Sequence, residues 1–191
     1  QHYALELRVD PSEKSIAGEL EMRALATKTI TSFALDLVQE LTVASVTIAG
    51  EAVPFTHEHG RIVIESTNEI TKDSEFVVAV TYGGKPTVAK RPPWTGGFTW
   101  STTSDGKPWI ATSCQGEGAD LWWPCKDHPS DKPNGFDLRC TVPEGLILAS
   151  NGTLQGEPVT KDGRTTFHWQ SASPIANYNV ALNIAPYIEL K

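Results

Sequence analysis

Large apolar side chains recur at every second position through most of this 191-residue chain, and that period commits it to β structure. In Tyr3-Ala4-Leu5-Glu6-Leu7-Arg8-Val9-Asp10 the large apolar residues stand at odd numbers and the polar ones at even numbers. Successive side chains of a strand point to opposite faces, so such a segment buries one face and wets the other. Ile16, Leu20 and Met22 repeat the pattern against Glu19, Glu21 and Arg23. So do Phe33-Leu35-Leu37, Phe76-Val78-Val80-Tyr82, Phe136-Leu138-Cys140-Val142 and Tyr178-Val180-Leu182-Ile184. One-sided strands of this kind belong to antiparallel sheets, because a parallel sheet is covered on both faces.

Turn signals fall between the runs. Lys161-Asp162-Gly163-Arg164 reads as a two-residue hairpin, and Ala49-Gly50-Glu51 and Asn151-Gly152 as further turns. No segment outside the central loop carries a sustained apolar stripe at helical spacing, so the chain reads as an all-β, antiparallel sandwich in one unit, residues 1–191. The regularity breaks between Arg91 and Gly135, which hold five of the six tryptophans, Trp94, Trp100, Trp109, Trp122 and Trp123. Phe98-Thr99-Trp100 and Trp109-Ile110-Ala111-Thr112 read as short strands about an Asp105-Gly106 turn. Ser113 to Lys132 reads as a long ordered loop with at most one helical turn. Loops of this length that stay ordered are disproportionately functional. Trp122 and Trp123 are adjacent and in a strand would point apart, so one or both belong to the core.

Composition removes several function classes. The net charge is −7 and no Lys/Arg run occurs, which speaks against a nucleic-acid groove or an anionic membrane surface. No apolar run is long enough for a membrane helix, and no signal-peptide pattern opens the chain. A chain of this size buries roughly 70% of its unfolded surface, so stability requires neither disulfide nor metal. Cys114, Cys125 and Cys140 are an odd set without regular spacing, which favours a reducing, cytoplasmic setting and leaves a Cys114–Cys125 bridge open. Strand-like segments at both ends, up to Tyr187-Ile188-Glu189-Leu190, and the lack of an initiator Met read as a domain cut from a longer polypeptide.

No complete catalytic set can be assembled. His57-Glu58-His59 has the wrong spacing for a His-Glu-x-x-His zinc pair and reads as a hairpin tip. Cys114, Cys125 and His128 match no zinc pattern and lack a fourth ligand. Gly-x-Ser-x-Gly is absent, and Gly116-x-Gly118 lacks the Lys and helix of a phosphate loop. Asp127 and Asp131 are placed to stitch the turns at Pro129 and Pro133 rather than to work as an acid/base pair.

The run Trp109-Ile110-Ala111-Thr112-Ser113-Cys114-Gln115-Gly116-Glu117-Gly118, followed by Trp123-Pro124-Cys125-Lys126-Asp127-His128-Pro129-Ser130-Asp131, resembles the N-terminal domain of zinc aminopeptidases of the aminopeptidase N and leukotriene hydrolase family. His2-Tyr3-Ala4-Leu5-Glu6-Leu7, Ala149-Ser150-Asn151-Gly152 and Tyr178-Asn179-Val180-Ala181-Leu182-Asn183-Ile184 are similar to that domain too, in matching order. The resemblance implies a saddle-shaped β domain that caps the substrate cleft and is inactive alone. Its zinc cofactor is then held by a catalytic domain downstream, which carries His-Glu-x-x-His, a distant Glu and a Gly-x-Met-Glu-Asn strand. None of these occurs here, so no catalytic residue and no metal ligand is assigned to this chain. One family position does carry over: the residue after Thr-x-Cys, here Gln115, which helps hold the α-ammonium of the peptide substrate. An ammonium group has donors only, and a carboxamide oxygen meets it without adding charge. Glu117 is expected to line the same cleft. Gln in place of Glu resembles the leukotriene-hydrolase side of the family and leaves epoxide hydrolysis open. The competing reading is a freestanding β-sandwich that binds glycans or protein partners through its aromatics.

Overall fold

A computed structural model describes residues 1–188; Glu189 and Leu190, the end of the last expected strand, lie outside the described residues. Eight strands come before the tryptophan-rich region: β1 His2–Asp10, β2 Ser15–Leu25, β3 Ile30–Asp36, β4 Leu41–Ile48, β5 Glu51–Ala52, β6 Phe55–Glu58, β7 Arg61–Ile70 and β8 Glu75–Gly84. Within and after it follow β9 Gly97–Thr102, β10 Pro108–Ser113, β11 Phe136–Pro143, β12 Ile147–Ala149 and β13 Thr153–Leu154. The chain then runs through β14 Val159–Lys161, β15 Arg164–Ser171, a 3-10 turn at Asn177–Asn179 and β16 Asn183–Ala185. Among the described residues no helix is long and apolar enough to cross a membrane.

Three sheets share one core. The largest runs β13-β15-β11-β1-β2-β8-β4-β5, with β14 also on β15. The second is β12-β16-β10-β9 and the third β3-β7-β6. In the large sheet, register aligns the apolar phase of each strand: Leu5 faces Leu20 and Leu138, Leu20 faces Val80, and Val80 faces Val46. All five are buried, together with Ile62 and Ile64 of the third sheet and Ile110 and Ile184 of the second. The sandwich expected from periodicity is therefore the observed architecture.

Three hairpins turn through paired left-handed residues, Ala49-Gly50, His59-Gly60 and Asp162-Gly163. This geometry matches the twist of the flanking strands. His57-Glu58-His59 is the hairpin tip its neighbours suggested, with His57 Nε2 2.9 Å from the Leu37 carbonyl.

Two expectations need correction. The large sheet is not wholly antiparallel, since β1 and β11 run parallel from Tyr3/Phe136 to Arg8/Thr141. Alternation cannot register this, because one-sided burial looks the same in either direction. On the open face Asp137 of β11 ties the pair together, holding His2 Nε2 at 2.9 Å and His168 Nε2 at 2.7 Å. Second, Tyr178-Val180-Leu182-Ile184 is a strand only at its end. Asn177–Asn179 is a 3-10 turn, and Val180, Leu182 and Ile184 are buried all the same.

Gly18 marks a tight point of the core. It pairs with Tyr82 across β2 and β8, and a Cβ at Gly18 would stand 2.6 Å from the Tyr82 ring. The ring fills the space a side chain would need. Gly18→Ala should therefore destabilise the fold by about 1–3 kcal/mol, the usual penalty for overpacking, read from urea unfolding. An unchanged midpoint would show that the ring can move aside.

Candidate functional site

The site begins where β10 ends. Thr112 is locked to Leu182 in both directions, its N–H donating to the Leu182 carbonyl at 3.0 Å and its Oγ1 accepting the Leu182 N–H at 2.9 Å. That contact fixes the strand before the chain reverses. Cys114 is buried, and its carbonyl accepts the N–H groups of Glu117 (3.2 Å) and Gly118 (2.9 Å). The result is a tight turn with Gln115, Gly116 and Glu117 exposed at its tip. Gly118 is required twice. Its φ is +125°, and a Cβ there would overlap the carboxylates of Asp120 and Asp127.

Below the tip every strand of the loop is tied to a different part of the fold. Asp127 Oδ1 accepts the Ala119 N–H at 3.0 Å, closing the turn from behind, and the Asp127 N–H donates to Asp36 Oδ2 at 3.1 Å. Asp36 and Cys125 exchange both main-chain bonds, at 2.7 and 3.1 Å. The Lys126 N–H donates to the Tyr3 hydroxyl at 3.1 Å, and its carbonyl accepts Asn177 Nδ2 at 2.9 Å. Trp122 and Trp123 are both fully buried. They escape the divergence of adjacent strand residues because they lie in a turn, both N–H groups pointing to the Ala119 carbonyl (3.1 and 3.3 Å). Trp123 meets Tyr3 and Phe136 edge-on at 5.1 Å each.

The resembling segment Ala149–Gly152 belongs to the same framework. Asn151 Oδ1 accepts the Ala181 N–H at 2.8 Å, and Ser150 Oγ donates to the Ala181 carbonyl at 2.7 Å. These bonds fix the chain next to Leu182, which in turn fixes Thr112.

The cysteines are structural. All three are free and buried, so no Cys114–Cys125 bridge forms. Burial pushes the Cys114 thiol up to about 12 and holds those of Cys125 and Cys140 well above the ordinary range. Neutral thiols are neither nucleophiles nor good metal ligands. His128 is spent locally, with Nδ1 2.8 Å from Ser130 Oγ. Lys126 Nζ pairs with Asp131 at 2.6 Å. Asp127 thus does stitch turns, across the loop rather than at Pro129. Among the described residues no group of His, Cys, Asp and Glu is arranged to hold a metal ion. The described residues do not fit a zinc site.

Sequence reasoning missed Asp36 and Asp120. Asp36 falls on the polar phase of an ordinary strand, and Asp120 sits among loop residues with no motif of its own. Folding brings both against Asp127. Burial, then the charges of Asp127 and Asp36, raise the Asp120 carboxyl to about 6. Because this pKa lies above the unfolded value, Asp120 favours the fold below about pH 4 and loses that contribution as pH rises through about 6. Asp120→Asn should flatten the decline in stability between about pH 4 and 6 and raise stability at pH 7, as measured by thermal unfolding across that range. Parallel pH profiles for variant and parent would refute the crowding of these carboxylates.

The fold has known counterparts. The chain matches the Peptidase M1 N-terminal domain over residues 1–178. It superposes on a crystal structure of an M1 zinc metallopeptidase from Deinococcus radiodurans with a TM-score of 0.81 and 23% identity, covering 96% of this chain and 41% of that one. A structure of an M1 zinc metallopeptidase from the same organism, bound to a Tyr-Ser-Ala substrate, aligns at TM-score 0.81 and 23% identity over the same shares. Curated relatives include proteins named transcription initiation factor TFIID subunit 2. The one from Drosophila melanogaster is 32% identical over 77 residues (40% of this chain), and the one from Gallus gallus is 37% identical over 68 (35%). The chain spans 6% of the length of these curated relatives and 41% of the solved structures. It belongs to the Peptidase M1 N-terminal domain family.

Proposed function

We propose that this member of the M1 N-terminal domain family caps the substrate cleft of a zinc aminopeptidase and helps hold the α-ammonium of a peptide through Gln115. The observation that carries the reading is the contrast at the β10 turn. Gln115 and Glu117 are exposed, while the residues beneath them, Cys114, Gly118 and Ala119, are buried and hydrogen-bonded. A polar side chain on so fixed a base can present its oxygen in one place, which is what orienting a substrate amine requires. The Gln115 carboxamide oxygen accepts from the ammonium, a Glu of the catalytic domain supplies the negative charge, and Glu117 lines the same cleft. Holding the amine sets the distance from the chain end to the bond that is cut, so residues leave one at a time from the amino terminus. Zinc in this reading is bound by a catalytic domain elsewhere in the polypeptide, and the present domain alone has no activity.

Gln115→Ala in the whole polypeptide should raise KM and lower kcat/KM by roughly 1–3 kcal/mol, the cost of a charged donor left without an acceptor. Peptide cleavage as efficient as the parent's would remove Gln115 from the site.

A second reading comes from the relatives named for transcription initiation. Here the same β domain serves a protein assembly without catalysis, which is the protein-partner form of a binding module. The two separate on whether the whole polypeptide hydrolyses aminoacyl amides. The M1 reading expects turnover that chelation abolishes, and the assembly reading expects none.

A further inference from the structure

Trp94 is the most exposed aromatic side chain among the described residues, at 77%. Exposed tryptophan costs solubility and large apolar area, so a rigidly presented one usually meets a partner. The turn that carries it is ordered. The N–H groups of Trp94 and Thr95 donate to the Arg91 carbonyl at 2.8 and 3.0 Å, and the Arg91 N–H donates to Thr95 Oγ1 at 2.6 Å. Its stem is pinned where Phe98 donates to the Thr87 carbonyl (2.8 Å) and Ala89 donates to the Phe98 carbonyl (2.9 Å).

This turn abuts the candidate site. A Cβ at Gly96 would stand 3.0 Å from Glu117 Oε2 and closer still to Leu121, so the two loops are in contact. Trp94 lies two residues before Gly96, and two residues of chain span at most about 7 Å. The Trp94 backbone is therefore within about 12 Å of the Glu117 carboxylate, and the indole adds its own reach. A peptide anchored at Gln115 and running toward this turn would come within range of that ring in its first few residues.

We infer that Trp94 contacts a bulky apolar or aromatic side chain near the amino end of the substrate, so that it helps set specificity. Charges of both signs flank the ring, with Lys90 and Arg91 exposed in the same turn and Glu117 on the neighbouring loop, so neither a basic nor an acidic side chain meets a field of one sign there. A neutral, bulky side chain gains from burial and from aromatic contact with indole. The inference rests on the cleft reading above and deepens it.

The test uses the whole polypeptide and tripeptide amides in which Phe replaces Ala at the first, second or third position. For at least one position, Trp94→Ala should lower the ratio of kcat/KM for the Phe peptide to that for the all-Ala peptide about tenfold. The loss should fall in KM, and Trp94→Phe should keep most of the ratio. Unchanged ratios at all three positions, including an equal loss on every peptide as expected for a merely structural or domain-docking tryptophan, would overturn it. Gln115→Ala in the same series separates the two claims. Loss on every peptide with Gln115→Ala beside unchanged ratios with Trp94→Ala removes Trp94 alone. Full efficiency of Gln115→Ala on every peptide removes the anchoring that the inference assumes.

Discussion

An irregular loop can hold a side chain in one position only if the backbone it buries finds partners, and the contact between Asp36 and the Cys125–Asp127 segment meets that need. Asp36 pairs with Cys125 through the main chain and accepts the Asp127 N–H through its side chain. Asp127 in turn spends its carboxylate on Ala119, the residue after the turn that bears Gln115 and Glu117. From the last residue of β3 to the exposed tip there are thus two links. Without them the loop would bury unsatisfied amides, each costing about 1–3 kcal/mol, and would open toward water.

Aromatic packing and carboxylate crowding act on this loop in opposite directions. Trp122 and Trp123 each remove a large apolar surface from water, and the Tyr3, Phe98 and Phe136 rings close around them. Against this, Asp36, Asp120 and Asp127 are drawn together at the loop's base, and the Asp120 carboxyl is raised first by burial and then by the charges of the other two. A loop built for stability alone would avoid that crowding. Fixing the tip requires several acceptors for buried amides in a small space, and short carboxylates supply them at the expense of mutual repulsion.

How much was legible depended on the range of the signal. Period-two alternation identified the strands, and their burial follows the predicted phase in β1, β2, β8 and β11. Asp162-Gly163 and Ala49-Gly50 named their own turns because left-handed geometry selects residue type locally. The tryptophan-rich loop was visible as a break in pattern, while Gln115 is singled out by a family resemblance and not by any local signal. The parallel pairing of β1 with β11 was not visible, since strand direction leaves no mark on alternation. Nor were Asp36 and Asp120, whose roles come from a meeting of residues some ninety positions apart along the chain, seen in the Asp36–Asp127 bond. Trp94 was one of five tryptophans in the irregular stretch, and its exposure shows only in the structure.

The central claim is that the carboxamide of Gln115 meets the substrate's amine. A crystal structure of the whole polypeptide with an uncleaved peptide bound tests it most directly. The account predicts Gln115 Oε1 within hydrogen-bonding range of the α-ammonium nitrogen, about 2.7–3.2 Å. A peptide amine held entirely by other residues, with Gln115 turned to solvent, would contradict it.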